Sequence, residues 1–353
     1  MERTAEYSTA EILATHPIAE PLVVAGVRCH GGFDEGGNYV SPRTRFRIGA
    51  IEAWQQQHTE TYGTEILDVP LDTWPEHYPN AAQAKYLIKA GVRDPIVAIL
   101  TRIGTVEGFG AVIRTCTVEH LQNLVEDDIA GTALAHLDRG LLEAHARDEA
   151  GYEDEAGHKQ MWYATRDIAF EHPLSKDAEQ ALIERTTLGR AAGAPLVPRP
   201  GRLDDLDPAL GALIERMTRI LLIELSAYQA FAWAEEVLSD TDLVAGAGEA
   251  ARLVSYIRQD ESPHVGYLRT ALSELRDRTL ISTEGERIAG TEVVGGFFDF
   301  AFAQSTGANR VVAVGNALAE VTAALEGRRH EKAILEEFHS LGTEPLARAA
   351  SGG

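Results

Sequence analysis

The sequence predicts an all-α protein: four long helices, further helices behind them, and an irregular N-terminal extension in front. Three observations predict it. From about residue 94 the chain shows helical periodicity with few interruptions. Two of the segments open on Asp-Pro, at Asp94-Pro95 and Asp207-Pro208, where aspartate can cap free amides and proline fits the first helical position. Two other segments carry one pattern, Asp-Glu-x-x-His, at Asp154–His158 and Asp260–His264. The expected organisation is an extension over 1–90, a helical bundle over 91–280, and C-terminal helices over 281–353 in the same domain.

In chain order, residues 21–42 are rich in glycine and turn residues and read as extended or looped, and 45–63 reads as a helix. The first long segment runs from Asp94 to about 121. The second covers roughly 132–170 and stops before Pro173. A Gly/Pro-rich connector spans 189–203. The third segment runs from Asp207 to Leu238. The fourth covers about 246–277 and contains Pro263, which removes a backbone donor and predicts a kink. Two or three more helices are expected after 280, including 310–340.

The segments form an internal repeat. Thr101-Arg102-Ile103-x-x-x-Glu107 matches Thr218-Arg219-Ile220-x-x-x-Glu224, and each copy is followed by one Asp-Glu-x-x-His segment. Glu107 and Glu155 lie 48 residues apart, and Glu224 and Glu261 lie 37 apart. The connection 118–131 is the expected home of the eleven extra residues.

On a helix, residues i and i+3 share a face, so a Glu and a His at that spacing can hold one metal ion. Two such helices, with one Glu from each of two others, supply four carboxylates and two imidazoles. Four carboxylates neutralise two divalent irons, and imidazole suits iron. The expected ligands are therefore Glu107, Glu155, His158, Glu224, Glu261 and His264. Asp154 and Asp260 are expected to orient ligand histidines, each serving the histidine of the opposite helix. Glu119 and Glu126 compete with Glu107 but sit in polar runs. Glu336-x-x-His339 lacks the preceding Asp and reads as a solvated helix face. Cys29-His30 has no second pair to complete a zinc site. His120, His145, His172 and His330 have no usable partner spacing. Gly108 and Gly110 either make room for substrate or allow close helix packing. Trp162, Tyr228 and Tyr267 line a pocket or belong to the core.

This arrangement resembles the ferritin-like di-iron carboxylate superfamily, in its oxygenase and desaturase branch. The resemblance covers about 94–277 and rests on the six ligands above and their order. It implies a ferritin-like four-helix bundle holding two iron ions, Fe/Fe or Mn/Fe. It further implies a dioxygen-dependent oxidoreductase that hydroxylates, N-oxygenates or desaturates a small organic substrate. No Rossmann glycine motif or iron–sulfur cysteine pattern is present, so a separate electron donor is expected. The other readings are a ribonucleotide-reductase-like radical subunit, a ferroxidase, and a helical protein with a structural metal. The flanking residues, about half the chain, favour an enzyme over storage.

Composition narrows the partners. The 353 residues carry 54 acidic and 32 Lys/Arg side chains, a net charge of −22 that disfavours nucleic acid and anionic membranes. No membrane-spanning helix is expected. Cys29 and Cys116 exclude a disulfide framework, and with no signal-peptide pattern at the start the expected setting is the cytoplasm. A homodimer is expected from the long apolar helix faces.

Overall fold

The computed structural model describes residues 5–191 and 202–342. Most of the connector at 189–203 and the tail from 343 lie outside them. The chain is mostly helical, with two small sheets.

The N-terminal region is more ordered than its glycine content suggests. A short helix α1 (Thr9–Ile12) precedes a three-stranded antiparallel sheet, β1 (Glu20–Val24), β2 (Val27–Phe33) and β3 (Tyr39–Val40), paired in that order. Ala25 and Gly26 both take positive φ and close the two-residue turn between β1 and β2. Helix α2 (Arg47–Tyr62) follows and ends on Gly63 in the left-handed region, as the sequence predicts for 45–63. Then come α3 (Ala81–Lys89) and α4 (Asp94–Glu107).

The second expected segment is broken. It consists of α5 (Ala133–His136), a distorted turn with Gly140 at φ 129, α6 (Leu142–Ala150), a loop, and α7 (His158–Phe170). Next come α8 (Lys176–Ala191) and the 31-residue α9 (Pro208–Leu238). Asp207 caps α9 through Ala209 N at 2.8 Å, whereas Asp94 sits inside the first turn of α4 and caps nothing. The fourth segment divides at Glu261 into α10 (Glu249–Asp260) and α11 (Ser262–Arg276), with Pro263 in the first turn of α11. After a hairpin, β4 (Thr279–Ile281) and β5 (Arg287–Ala289), come α12 (Gly296–Thr306), α13 (Ala308–Leu325) and α14 (Glu331–Ser340).

Helix α7 packs on α4 and α10, while α9 packs on α10 and α11. One apolar core gathers around Trp54, Leu221, Tyr267 and Phe297, and the other around Leu100, Trp162, Phe231 and Val254. The stretch Asp94–Thr115 has the length and mean hydropathy, 1.7, of a membrane span, which the sequence reading did not expect. Half of it is buried inside the protein, and its helix stops at Glu107 before a 3-10 turn over Gly110–Thr115.

Glu274 of α11 ties the two halves together by accepting from the N–H groups of Ala133 and Leu134 at 3.0 and 2.9 Å. Burial raises its pKa from an ordinary 4.5 to about 7, although those N–H groups pull it back. The folded state therefore holds this proton to higher pH than the unfolded chain. Its stabilising contribution is complete below pH 4.5 and declines up to about pH 7. Denaturation across that window should show a loss of roughly 3 kcal/mol that Glu274→Gln abolishes.

Candidate metal centre

Five of the six expected ligands converge, and the sixth does not. Glu107, His158, Glu224, Glu261 and His264 are all buried and stand together with Glu149. Glu155 is not among them. It lies on the surface with Asp154, where Arg28 pairs with both at 3.2 and 2.9 Å, and Asp154 is 71% exposed. The places expected for Glu155 and Asp154 beside the cluster are taken by Glu149 and Asp148.

The cause is a tandem repeat. Residues 148–151 and 154–157 both read Asp-Glu-Ala-Gly, so two Asp-Glu pairs precede His158. The chain leaves the helix after Ala150, makes a six-residue excursion, and returns at Gly157 to start α7 at His158. Gly151 and Gly157 close its base: a Cβ on Gly157 would lie 2.3 Å from Gly151 N and 2.5 Å from Asp148 O. The excursion also pairs with β2, through His30 N to Ala156 O and Ala156 N to Arg28 O, both 2.9 Å. Without those six residues the chain would read Asp148-Glu149-x-x-His158, matching Asp260-Glu261-x-x-His264. Six of the eleven extra residues therefore follow Glu149 rather than lying in 118–131.

The histidines point their Nδ1 atoms inward. His158 Nδ1 lies 2.9 Å from Glu261 Oε1 and 3.2 Å from Glu149 Oε1. His264 Nδ1 lies 2.7 Å from Glu261 Oε2 and 3.2 Å from Glu149 Oε1. Their Nε2 atoms face the aspartates of the opposite half: His264 to Asp148 at 2.9 Å, His158 to Asp260 at 3.5 Å. This is the crossed arrangement expected from the repeat, with Asp148 in place of Asp154.

The N-terminal region, for which the sequence offered no role, locks these aspartates. Arg43 and Arg47 both bind Asp148, Arg43 Nε at 2.7 Å and Arg47 Nη2 at 2.7 Å. His30 Nε2 lies 3.0 Å from Asp260 Oδ2, and the Tyr39 hydroxyl donates to the same oxygen at 2.8 Å. His30 thus stands behind His158, with ring centres 5.1 Å apart.

A third imidazole, missed in the sequence, joins the cluster. His145 lies one turn before Glu149 on the same face of α6. Its ring stacks on His264 at 4.0 Å, and its Nε2 lies 3.4 Å from Glu224 Oε1. Its Nδ1 meets the Tyr267 hydroxyl at 3.0 Å. Burial, reinforced by His264, lowers its pKa to about 3, so the ring is neutral and able to ligate.

Charge is what this cluster lacks. Among the described residues no Lys or Arg pairs with Glu107, Glu149, Glu224 or Glu261. Buried carboxylates without counter-charge cost several kcal/mol each. Protons carry part of the load. Burial and the neighbouring carboxylates push Glu107 and Glu224 well above the usual range. For His158 and His264 burial opposes the cation, but Glu261 outweighs it and raises both. Metal ions would displace those protons. His145 Nε2, Glu149 Oε2 and Glu224 Oε2 are buried with no hydrogen-bond partner among the described residues. Ligand atoms of Glu107, Glu149, Glu224 and Glu261 lie within 4.8 Å of one another, as do those of Glu149, His158, Glu261 and His264, and of His145, Glu149, Glu224 and His264. The donor set fits metal ions.

Two cavities reach the cluster. One, of about 420 Å³, is floored by Glu107, Glu149 and Glu224. The other, of about 430 Å³, is walled by α9 and α13 and touches Glu107. Gly108 and Gly110 line the first, yet neither leaves spare room: a Cβ would lie 2.7 Å from Lys159 Cδ and 2.5 Å from Glu149 Cγ, respectively. Gly110→Ala should therefore displace Glu149 and weaken metal binding about 10–100-fold in a chelator competition. Trp162 stacks on Phe231 in the core, and Tyr228 packs edge-on against the same ring. Neither they nor Tyr267 line these two cavities. Glu119 and Glu126 are exposed.

No family model matches this chain, and no curated protein or solved structure matches it. Its functional reading rests on the geometry of the buried Glu/His cluster.

Proposed function

We propose that this chain is a non-haem di-iron oxygenase with a ferritin-like bundle, oxidising a small organic substrate with dioxygen. The carrying observation is the buried set of four glutamates and three histidines, uncompensated by Lys or Arg, that opens on a cavity. A purely structural metal would sit in a closed site, and a storage protein has no use for such a cavity.

The candidate ligands are Glu107, Glu149, His158, Glu224, Glu261 and His264, with His145 as a seventh. Bound iron, Fe/Fe or Mn/Fe, would supply the dioxygen and redox chemistry. The chain's own residues do the rest. Glu149 and Glu261 lie between His158 and His264 and are placed to be shared. Asp148 hydrogen-bonds the outer nitrogen of His264, Asp260 stands 3.5 Å from that of His158, and both Nδ1 atoms are thereby aimed inward. Glu107 and Glu224 face the cavity and are the carboxylates an incoming substrate meets. Tyr267 fixes the His145 ring with Nε2 turned toward Glu224. Burial keeps bulk water away. Mono-oxygenation places one oxygen atom in the product and one in water, consuming two electrons and two protons. A separate reductant supplies the electrons.

One observation favours a second reading, the radical-generating subunit: Tyr267 is fully buried and hydrogen-bonded to His145. Anaerobic loading with ferrous iron, then mixing with dioxygen, separates the readings. The oxygenase reading expects dioxygen consumption with no lasting tyrosine radical in the electron paramagnetic resonance spectrum. A persistent radical lost in Tyr267→Phe would favour the second. Bound iron inert to dioxygen would contradict both.

A further inference from the structure

The cavity floored by Glu107, Glu149 and Glu224 has a polar end as well as a metal end. Along α9, Arg216, Arg219, Ile220, Ile223 and Glu224 line it. Arg216 and Glu224 are eight residues apart on one helix, about 12 Å at 1.5 Å per residue. Arg216 is exposed, one turn before Ile220, and Ile220 and Ile223 supply an apolar lining together with Phe109 and Val112.

Arg216 contacts the Cys116 thiol but has no counter-charge. Among the described residues no carboxylate pairs with it, although the chain has 54 acidic side chains against 32 basic ones. Its neighbour Arg219 is tied to Glu215 at 3.0 Å. The adjoining cavity differs: its Arg102 binds both oxygens of Glu320 at 2.7 Å. A guanidinium that lines a pocket without an ion-pair partner is a planar fork that matches a carboxylate. A single cation suits a monoanion better than a phosphate dianion.

We propose that Arg216 is the specificity-determining residue of this pocket and that the substrate is a small organic carboxylate. Its acid group docks on Arg216. Its apolar body, about one ring or a short chain, lies over Ile220 and Ile223, with its far end toward Glu107 and Glu224. This inference rests on the metal-dependent enzyme reading. It adds the charge class, the size and the orientation of the substrate.

The test uses the full chain loaded with zinc, so that binding is read without oxygen chemistry. Size-matched acids, amides and amines (benzoate, benzamide, benzylamine; hexanoate, hexanamide, hexylamine) are compared by ligand-observed NMR titration. The expected result is that the acids bind and their neutral and cationic counterparts do not. Arg216→Gln should weaken the acids at least ~10-fold, and Arg216→Lys less. Equal binding of acid and amide, failure of both acids to bind, or acid binding unchanged in Arg216→Gln would overturn the inference. The last outcome is what direct ligation of zinc by the acid would give. Zinc content of the same samples separates the failures. Zinc bound without acid preference sinks this inference alone, and zinc not bound sinks the metal reading with it.

Discussion

Replacing Glu149 with glutamine is expected to strip metal from the proposed centre, whereas the same change at Glu155 should leave it loaded. The two residues occupy identical Asp-Glu-Ala-Gly contexts six positions apart, so local sequence cannot separate them. Their surroundings do. Glu149 is fully buried, with Oε1 3.2 Å from both His158 Nδ1 and His264 Nδ1 and Oε2 unpartnered. It belongs to every one of the groups that also hold a second glutamate. The Glu155 side chain pairs with the half-exposed Arg28, an interaction worth about 0–1 kcal/mol. Loss of a positioning partner behind a ligand costs about 10–100-fold in metal affinity, so loss of Glu149 itself should cost at least ~100-fold. Chelator competition on the two variants decides. Equal retention by both, or loss in Glu155→Gln, would return the ligand role to the second Asp-Glu pair.

The largest stability effect is expected at Asp148. Its carboxylate is fully buried and receives Arg43, Arg47 and His264 together. Burial opposes its ionisation, but the two guanidiniums outweigh that and hold it well below the usual carboxylate range. Asp148→Asn keeps the shape and leaves two buried cations without a counter-charge. Breaking a buried pair in this way costs about 3–5 kcal/mol. Urea denaturation of the metal-free protein should show it as a lowered midpoint. Asp154→Asn, which removes only a contact to Arg28 on the surface, should change stability by less than about 1 kcal/mol. An unchanged midpoint in Asp148→Asn would mean that the Arg43–Arg47–Asp148 node is not what joins the N-terminal region to the helices.

Much of the site was legible in the sequence because the repeat writes it twice. The Thr-Arg-Ile-x-x-x-Glu match pointed to Glu107 and Glu224, and Asp260-Glu261-x-x-His264 to Glu261 and His264, all of which the structure brings into one buried cluster. In the other pair His158 joins the cluster and Glu155 does not, because a duplicated Asp-Glu-Ala-Gly supplied a second copy at the correct distance from His158. A helix over 132–170 is also longer than most, and Gly151 and Gly157 inside it were the signal that it breaks. His145 was visible as i−4 to Glu149, but only once Glu149 is taken as the ligand. His30, Tyr39, Arg43 and Arg47 were not legible. Their partners Asp148 and Asp260 lie more than 100 residues away, and no local pattern predicts such contacts.

The most direct test of the central claim is anomalous diffraction at the iron edge from crystals of the iron-loaded protein. Two iron positions are expected, one bordered by Glu107 and His158 and one by Glu224, His145 and His264, with Glu149 and Glu261 between them. A single position, none in the cluster, or iron held at Glu155 would contradict the account.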